Sequence, residues 1–161
     1  MDLIDEGMCF VCGQANPAGL KIRFDVDSDD LRIEGRFVPR PEHQGYSGIM
    51  HGGLVSTLLD EAMVKLLWDS GIPAVSAALE IKLLRPVKIG ERIVIKGWVE
   101  ALKGRVIRAA SSVEDQDGNL LAEAKGTCMR IIPKEEKGAE TQKQEGDGAF
   151  RGHPEGRQKG I

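Results

Sequence analysis

The chain has 161 residues, 41% of them apolar, which is enough for one domain with its own core and too few to expect two. Its formal net charge of −3 gives no general attraction to a polyanion, so nucleic acid is disfavoured as a partner. No apolar run approaches the about 18 residues of a membrane helix, the acidic start is unlike a secretory signal, and three cysteines fit reduced thiols, so we expect a cytoplasmic protein without membrane contact.

A β-hairpin is predicted first along the chain. Residues 20–26 alternate apolar and polar side chains, which is typical of a strand with one buried face, and residues 31–38 resume the same alternation. The acidic residues 27–30 between them supply turn chemistry. Residues 39–48 are polar and contain proline and glycine, so we predict a loop there.

One long helix follows the loop. Apolar side chains recur at helical intervals from Gly52 until Gly71, which predicts about five turns. Four further strands are then separated by turn signals, at residues 75–84, 92–102, 106–113 and 120–132. Only one helix is available to cover the sheet, so we predict an α+β fold in which a six-stranded antiparallel meander wraps around the helix.

The end of the chain differs in composition from the rest. Residues 133–161 hold almost no apolar side chains, and their six basic residues balance six acidic ones. Such a segment cannot bury enough surface to fold and has no evident binding patch. We therefore expect a folded domain at residues 1–132 and a disordered polar tail at residues 133–161.

The start of the predicted helix is a candidate carbonyl-binding site. Gly52 and Gly53 follow His51 and leave backbone N–H groups unobstructed at the positive end of the helix dipole. A carbonyl oxygen that develops negative charge could be held there. The alternative is that the two glycines only let the chain turn tightly into the helix.

Asp60 is the candidate for acid–base chemistry. It lies in an otherwise apolar helical stretch, where a charge costs stability unless it has a role. The alternative is that Asp60 and Glu61 share a solvated face. If Asp60 is the base, Glu61 lies on a flank of the helix, where we expect it beside Lys65 at i+4. Gly52 and Asp60 are separated by about 12 Å along the helix axis, so both can act on one bond only if two helices lie antiparallel in a two-fold dimer.

These motifs together resemble a known family. The sequence GIMHGG at residues 48–53, Asp60 nine residues after His51, and LRP at residues 84–86 followed by Gly90 are similar to the acyl-CoA thioesterases of the hotdog superfamily, in particular the phenylacetate-degradation (PaaI-like) type. The resemblance implies a sheet curled around a central helix. It also implies homodimers, often paired into homotetramers, with pockets at the dimer interface and with no metal or cofactor.

The resemblance also implies roles for individual residues. Gly52 matches the family's carbonyl-polarising N–H, and Asp60 matches the carboxylate that activates water or attacks the thioester. Ser76 lies where many relatives have a hydroxyl that positions the water, although a residue that merely fills a strand is an equal alternative. His51 matches a residue that orders the loop, and Gly53 stands beside it at the predicted substrate site.

One position departs from the family pattern. Many relatives have an asparagine six residues before the histidine, as a second contact to the thioester carbonyl, and this chain has Gly45 there. Gln44 is adjacent and could substitute if the loop is rotated. We count Gln44 and Arg85 with His51 and Gly53 as candidate substrate-binding residues.

Two further clusters have weaker interpretations. Cys9 and Cys12 have the spacing of a zinc-binding pair, but a structural zinc needs four ligands, and Cys128 and the scattered histidines form no second pair. We therefore expect no metal and small buried thiols instead. A CoA phosphate could meet the basic residues near the predicted turns, but solvated charges are the simpler interpretation for Lys88, Lys103, Arg105 and Arg108.

The function predicted from the sequence is hydrolysis of an acyl-CoA-type thioester to a carboxylic acid and a free thiol. The site is expected to be shared, with the carbonyl held by Gly52 of one subunit and water activated by Asp60 of the other. The alternative is a non-catalytic dimer that binds acyl-CoA or senses a ligand. A hydratase or dehydratase is disfavoured, because those hotdog relatives use a catalytic histidine in another sequence context.

Overall fold

The structure, a computed structural model, describes residues 3–132. Within them, one 18-residue helix, α1, is preceded by four strands and followed by four. The elements in chain order are β1 (Phe24–Asp27), β2 (Arg32–Phe37), a short 3-10 helix (Pro41–His43), β3 (Gln44–Tyr46), β4 (Ile49–Met50), α1 (Gly52–Asp69), β5 (Ala74–Leu83), β6 (Ile93–Lys103), β7 (Val106–Asp115) and β8 (Leu120–Arg130).

Six of the strands form one antiparallel sheet, in the order β1-β2-β6-β7-β8-β5. The prediction of a meander was wrong in one respect, because β5 does not lie between β2 and β6. After α1 crosses the face of the sheet, β5 pairs with β8 at the far edge, and β2 pairs with β6. The helix packed against this sheet gives the hotdog fold, which confirms the predicted fold class.

Helix α1 contacts five of the strands, and its apolar side chains form the centre of the core. Two glycines let the sheet approach the helix closely. A Cβ at Gly97 of β6 would lie 2.8 Å from the Ala62 carbonyl oxygen, and one at Gly126 of β8 would lie 2.8 Å from Met63 Sδ. The fully buried residues of the helix are Leu58, Leu59, Ala62, Met63, Leu66 and Leu67.

The first predicted strand is shorter than its alternation suggests. Residues 20–23 are not paired with β2, because the N–H groups of Leu20 and Ile22 donate to Phe10 and Val11 of the N-terminal segment, at 2.8 and 2.9 Å. Lys21 between them has a positive φ of 57°, which interrupts an extended strand. The alternation correctly indicates that Leu20 and Ile22 are buried, but their backbone pairs with the N-terminal segment and not with β2.

The predicted helix is confirmed, with ends that local chemistry explains. His51 is its N-cap, and Gly71, just beyond the Ser70 C-cap, has the left-handed φ of 72° that glycine adopts readily. The loop before the helix contains the small β3–β4 ladder, which was not predicted. Neither α1 nor any other helix within residues 3–132 has the length and apolarity to cross a membrane.

The predicted tail, residues 133–161, lies outside the described residues. We expect truncation after Ile132 to leave the thermal midpoint of the domain within about 2 °C of the full chain, because the tail has almost no apolar surface to pack. Thermal unfolding of both chains by circular dichroism measures this. A fall of about 5 °C or more would mean that the tail packs on the domain.

Candidate active site

The start of α1 presents one free backbone donor. His51 caps the helix with its own side chain, since its Nδ1 accepts the Gly53 N–H at 2.9 Å. The His51 carbonyl accepts the N–H groups of Leu54 and Val55. Among the described residues, the Gly52 N–H has no hydrogen-bond partner. Of the two glycines predicted at the site, therefore, Gly52 offers its N–H to a ligand and Gly53 does not.

Gly52, whose N–H is free, lines a cleft of about 310 Å³. Its walls come from the loop before the helix, from Val55 one turn along α1 and from the segment after β5, and they are mostly apolar. Arg85, a candidate substrate-binding residue, is exposed and lines the same cleft as Gly52. The remaining lining residues are Tyr46, Ile49, Met50, Leu83, Leu84, Pro86 and Val87.

The loop in front of α1 is held by backbone hydrogen bonds and leaves little room at Gly45. The His51 N–H donates to the His43 carbonyl at 2.8 Å. A Cβ at Gly45 would lie 3.1 Å from His51 Cδ2 and 3.2 Å from its Cα, so a larger residue would require His51 to shift by a few tenths of an ångström. Gln44 Oε1 accepts the Gly48 N–H at 3.1 Å, which commits that oxygen to the loop.

Asp60 carries a buried carboxylate oxygen without a protein partner. It lies on the third turn of α1 between buried Leu59 and partly buried Glu61, and its Oδ1 has no hydrogen bond within the described residues. A buried acceptor left unsatisfied costs about 1–3 kcal/mol, so natural proteins rarely keep one without a reason. A substrate or water that binds there would satisfy the oxygen. The buried Ser111 hydroxyl donates to the Leu59 carbonyl at 2.8 Å and fixes the helix beside Asp60.

Ser76 and Asp60 both lie near the buried thiol of Cys128. Burial raises the pKa of Cys128 to about 11, and the negative charge of Asp60 contributes to this rise. Ser76 is the residue directly opposite Cys128 across the β5–β8 pair. The register shifts between Ser76 and Ala78, and such bulges are frequent next to active sites, where they redirect a side chain. Strand β5, which carries the exposed Ser76, therefore lies next to the strand whose Cys128 is near Asp60.

One chain supplies the two halves of the site at separate places. Gly52 and Asp60 both lie on α1, about 12 Å apart along its axis. Strand β5, which carries Ser76, is at the edge of the sheet and exposes large apolar side chains at Leu79 and Leu83. An exposed apolar edge strand is a surface that pairs readily with another strand.

Glu61 points away from this site. Adjacent helical residues are about 100° apart, and Glu61 Oε2 accepts a hydrogen bond from Cys9 Sγ at 3.4 Å. The expectation that Glu61 lies beside Lys65 as its ion-pair partner was wrong, since Lys65 Nζ binds Asp69 at 2.6 Å.

The cysteines also differ from the sequence prediction. Cys128 is buried, but Cys9 and Cys12 are partly exposed and adjoin Glu61, so the description as small buried thiols was wrong for those two. Burial raises the pKa of the Cys12 thiol far above its usual range, and the hydrogen bond and negative charge of Glu61 raise it further. No sequence pattern indicates this contact, because 49 residues separate Cys12 from Glu61.

The basic residues near the turns do not form one cluster. Lys88 pairs with Glu91 at 3.1 Å, and both side chains are exposed. Lys103 and Arg108 line a cleft of about 300 Å³ on the β6–β7 hairpin. Within residues 3–132 no ion pair involves Lys103, Arg105 or Arg108, which agrees with solvated charges.

Comparison with known proteins finds similarity to thioesterases. Residues 47–122 match the family model described as Thioesterase superfamily. Acyl-coenzyme A thioesterase THEM4 of Bos taurus is 26% identical over 132 residues, which are 81% of this chain and 54% of that protein. Acyl-coenzyme A thioesterase 13 of Homo sapiens is 37% identical over 91 residues, 53% of this chain and 64% of that protein. The chain thus spans less than two thirds of the length of both relatives.

A solved structure supports the fold. The E. coli PaaI protein from the phenylacetic acid degradation operon superposes with a TM-score of 0.64, covering 70% of this chain and 81% of that one. Its sequence is 21% identical, so the likeness concerns the fold. The residues matched by the family model include Gly52, Asp60 and Ser76, whereas Cys9 and Cys12 lie before them.

Proposed function

Because residues 47–122 match the Thioesterase superfamily model, we propose that the protein hydrolyses an acyl-CoA thioester to a carboxylic acid and free CoA thiol. The observation that carries this proposal is the buried Asp60 Oδ1, which has no partner within the described residues. A carboxylate whose acceptor oxygen is desolvated and unused is suited to take a proton from water. The acyl-CoA class follows from the two thioesterase relatives.

The reaction proceeds with these groups in the following roles. The Gly52 N–H, at the positive end of α1, donates to the thioester carbonyl oxygen and stabilises the charge that develops there. Asp60 removes a proton from water, and the resulting hydroxide adds to the carbonyl carbon. Ser76 helps to position that water. The C–S bond then breaks and the thiolate leaves. Asp60 passes the proton that it took from water to this thiolate.

The proposed catalytic unit is a homodimer, on its own or within a tetramer. About 12 Å along α1 separates Gly52 from Asp60, which is too far for both to act on one carbonyl. A two-fold axis that sets two helices antiparallel would bring Gly52 of one subunit to Asp60 of the other and create two equivalent sites. The exposed edge strand β5 offers the surface for this pairing.

The substrate-binding residues have different supporting evidence. Arg85 has the charge to meet a CoA phosphate at the rim of the cleft. His51 and Gly53 shape the helix start through their mutual hydrogen bond. Gln44 orders the preceding loop, and the confined backbone at Gly45 leaves Gly52 as the main donor for the carbonyl.

Release of free thiol from a panel of acyl-CoAs tests the proposal. We expect turnover of at least one acyl-CoA, with kcat in the range of about 1–10³ s⁻¹ that enzymes commonly reach. The panel should vary chain length and include aryl-acetyl groups, and the oxygen esters of the same acids serve as matched controls. Tight binding without turnover for every thioester would contradict the proposal and favour the non-catalytic acyl-CoA-binding dimer.

A further inference from the structure

We propose that Cys9, Cys12 and Glu61 form a binding site for a thiophilic divalent cation, with Zn²⁺ the best chemical fit. The three side chains come from two places in the chain, the N-terminal segment and the middle of α1. One donor atom of each lies within 4.8 Å of the others. This cluster is separate from the thioester site, because Glu61 and Asp60 point in different directions from the helix.

The distances suit a tetrahedral zinc ion. Zn–S and Zn–O bonds of about 2.3 and 2.0 Å at a tetrahedral angle place sulfur and oxygen about 3.5 Å apart. The distance from Cys9 Sγ to Glu61 Oε2 is 3.4 Å, which is close to that value. Only small movements of the side chains are needed to admit the ion between them.

The backbone around the cysteines is arranged to direct both thiols to one side. The Gly13 N–H donates to the Cys9 carbonyl at 2.9 Å and closes a tight turn over the CFVCG sequence. A Cβ at Gly13 would lie 2.5 Å from backbone atoms of Cys9 and Gly7, so this turn requires glycine. The Val11 N–H donates to Cys9 Sγ at 3.4 Å, and such outer hydrogen bonds orient a metal-binding thiolate.

The three residues leave a fourth position for solvent. Cys9, Cys12 and Glu61 all line a cavity of about 470 Å³ between the N-terminal segment, α1 and the start of β5. Two thiolates, one carboxylate and water complete four ligands around Zn²⁺. When the metal binds, the two thiol protons pass to the buffer. The two thiolates and the carboxylate then carry a charge of −3, and with Zn²⁺ the net charge of the site is −1. Lys65, which lines the same cavity, partly offsets that remaining charge.

The consequence is a clamp between the N-terminal segment and the catalytic helix. At present Val11, which is 2% exposed, and the Cys9–Glu61 hydrogen bond hold this segment to the core. A metal would add three coordinate bonds, two to Cys9 and Cys12 of the N-terminal segment and one to Glu61, the residue that follows Asp60. Because a bound ion stabilises the folded state by mass action, the thermal midpoint should rise by about 5 °C or more when free metal exceeds Kd a hundredfold.

Cobalt titration of the full chain tests this site without reference to activity. The protein is treated with chelator and a phosphine reductant, and the reagents are removed before Co²⁺ is added. We expect one equivalent per chain, with thiolate-to-cobalt charge-transfer absorption and the visible bands of a tetrahedral complex, and Zn²⁺ should displace it. Cys9→Ser and Cys12→Ser should lower the affinity at least about 100-fold, and Glu61→Gln at least about 10-fold.

Two matched variants separate this site from general binding. Glu6→Gln removes a carboxylate that lines the same cavity, and Cys128→Ala removes the buried thiol, so both should keep the parent affinity and spectrum. Charge-transfer absorption that persists in Cys9→Ser, or an affinity unchanged in Glu61→Gln, would overturn the proposed ligand set. The proposal would also be overturned if the reduced protein bound no metal and Cys9 and Cys12 formed a disulfide when the reductant was removed.

Discussion

Asp60→Asn is expected to lower kcat by about 10² or more while KM changes far less. Asparagine keeps the shape of the side chain but cannot accept the proton of the attacking water. The buried Oδ1 position remains occupied by a polar atom, so the fold should be retained. Thiol release under saturating acyl-CoA measures kcat, and thermal unfolding of the same preparation shows whether the variant is folded.

Asp69→Asn is the matched control for this substitution. Asp69 lies on the same helix, loses the same charge on substitution and pairs with Lys65 at the surface. Exposed ion pairs contribute little to stability, so both kcat and the thermal midpoint should stay close to the parent values. If Asp60→Asn retained kcat within a few-fold, Asp60 would not be the base, and the non-catalytic alternative would become the better hypothesis.

Gly52→Pro is expected to lower kcat by about 10²–10³, because it removes the single N–H proposed to hold the carbonyl. Proline suits the first position of a helix, and the residue before it, His51, has φ −61° and ψ 129°, which proline permits. Gly52→Ala is the matched control. It adds a Cβ 2.8 Å from the end of the Leu83 side chain, which can move, but it keeps the N–H.

Combining the two inactive subunits tests whether the site is shared. In a heterodimer of Gly52→Pro and Asp60→Asn chains, one site carries both defects and the other carries neither. The heterodimer, co-expressed with two affinity tags and purified through both, should therefore regain about half of the parent activity. A heterodimer as inactive as its two parents would contradict the shared site. Sedimentation equilibrium of the parent should show at least a dimer. A fully active monomer would also contradict the shared site.

The elements themselves could be predicted because their signals are local. Apolar residues at helical spacing predict a helix. The helix predicted to begin at Gly52 and to end before Gly71 agrees with α1 at Gly52–Asp69. The strands after the helix were located to within a few residues by alternation and turns. Residues 20–23 were assigned wrongly, because burial produces the same alternation whether the backbone pairs with β2 or with the N-terminal segment.

The candidate thioester site was also suggested by a local pattern. His51, Gly52 and Asp60 lie within ten residues, and the helix rise alone fixes the separation of Gly52 and Asp60 at about 12 Å along the axis. That spacing is the reason why the proposed site needs a second subunit. The sequence could not show that the Gly53 N–H is taken by His51 Nδ1 or that Asp60 Oδ1 has no partner within the described residues, because both depend on side-chain positions.

By itself, then, the sequence determined the α+β class, the single long helix and the strands around it, and it suggested the residues of the proposed thioester site. All of these follow from patterns within one element or a short motif. Only the tertiary structure decided the strand order, with β5 beside β8, and the meeting of Cys9 and Cys12 with Glu61. Both depend on contacts between residues about 50 apart in the chain. Such contacts depend on how the sheet packs on α1. The spacing of apolar residues in a strand or helix does not indicate which other element it packs against.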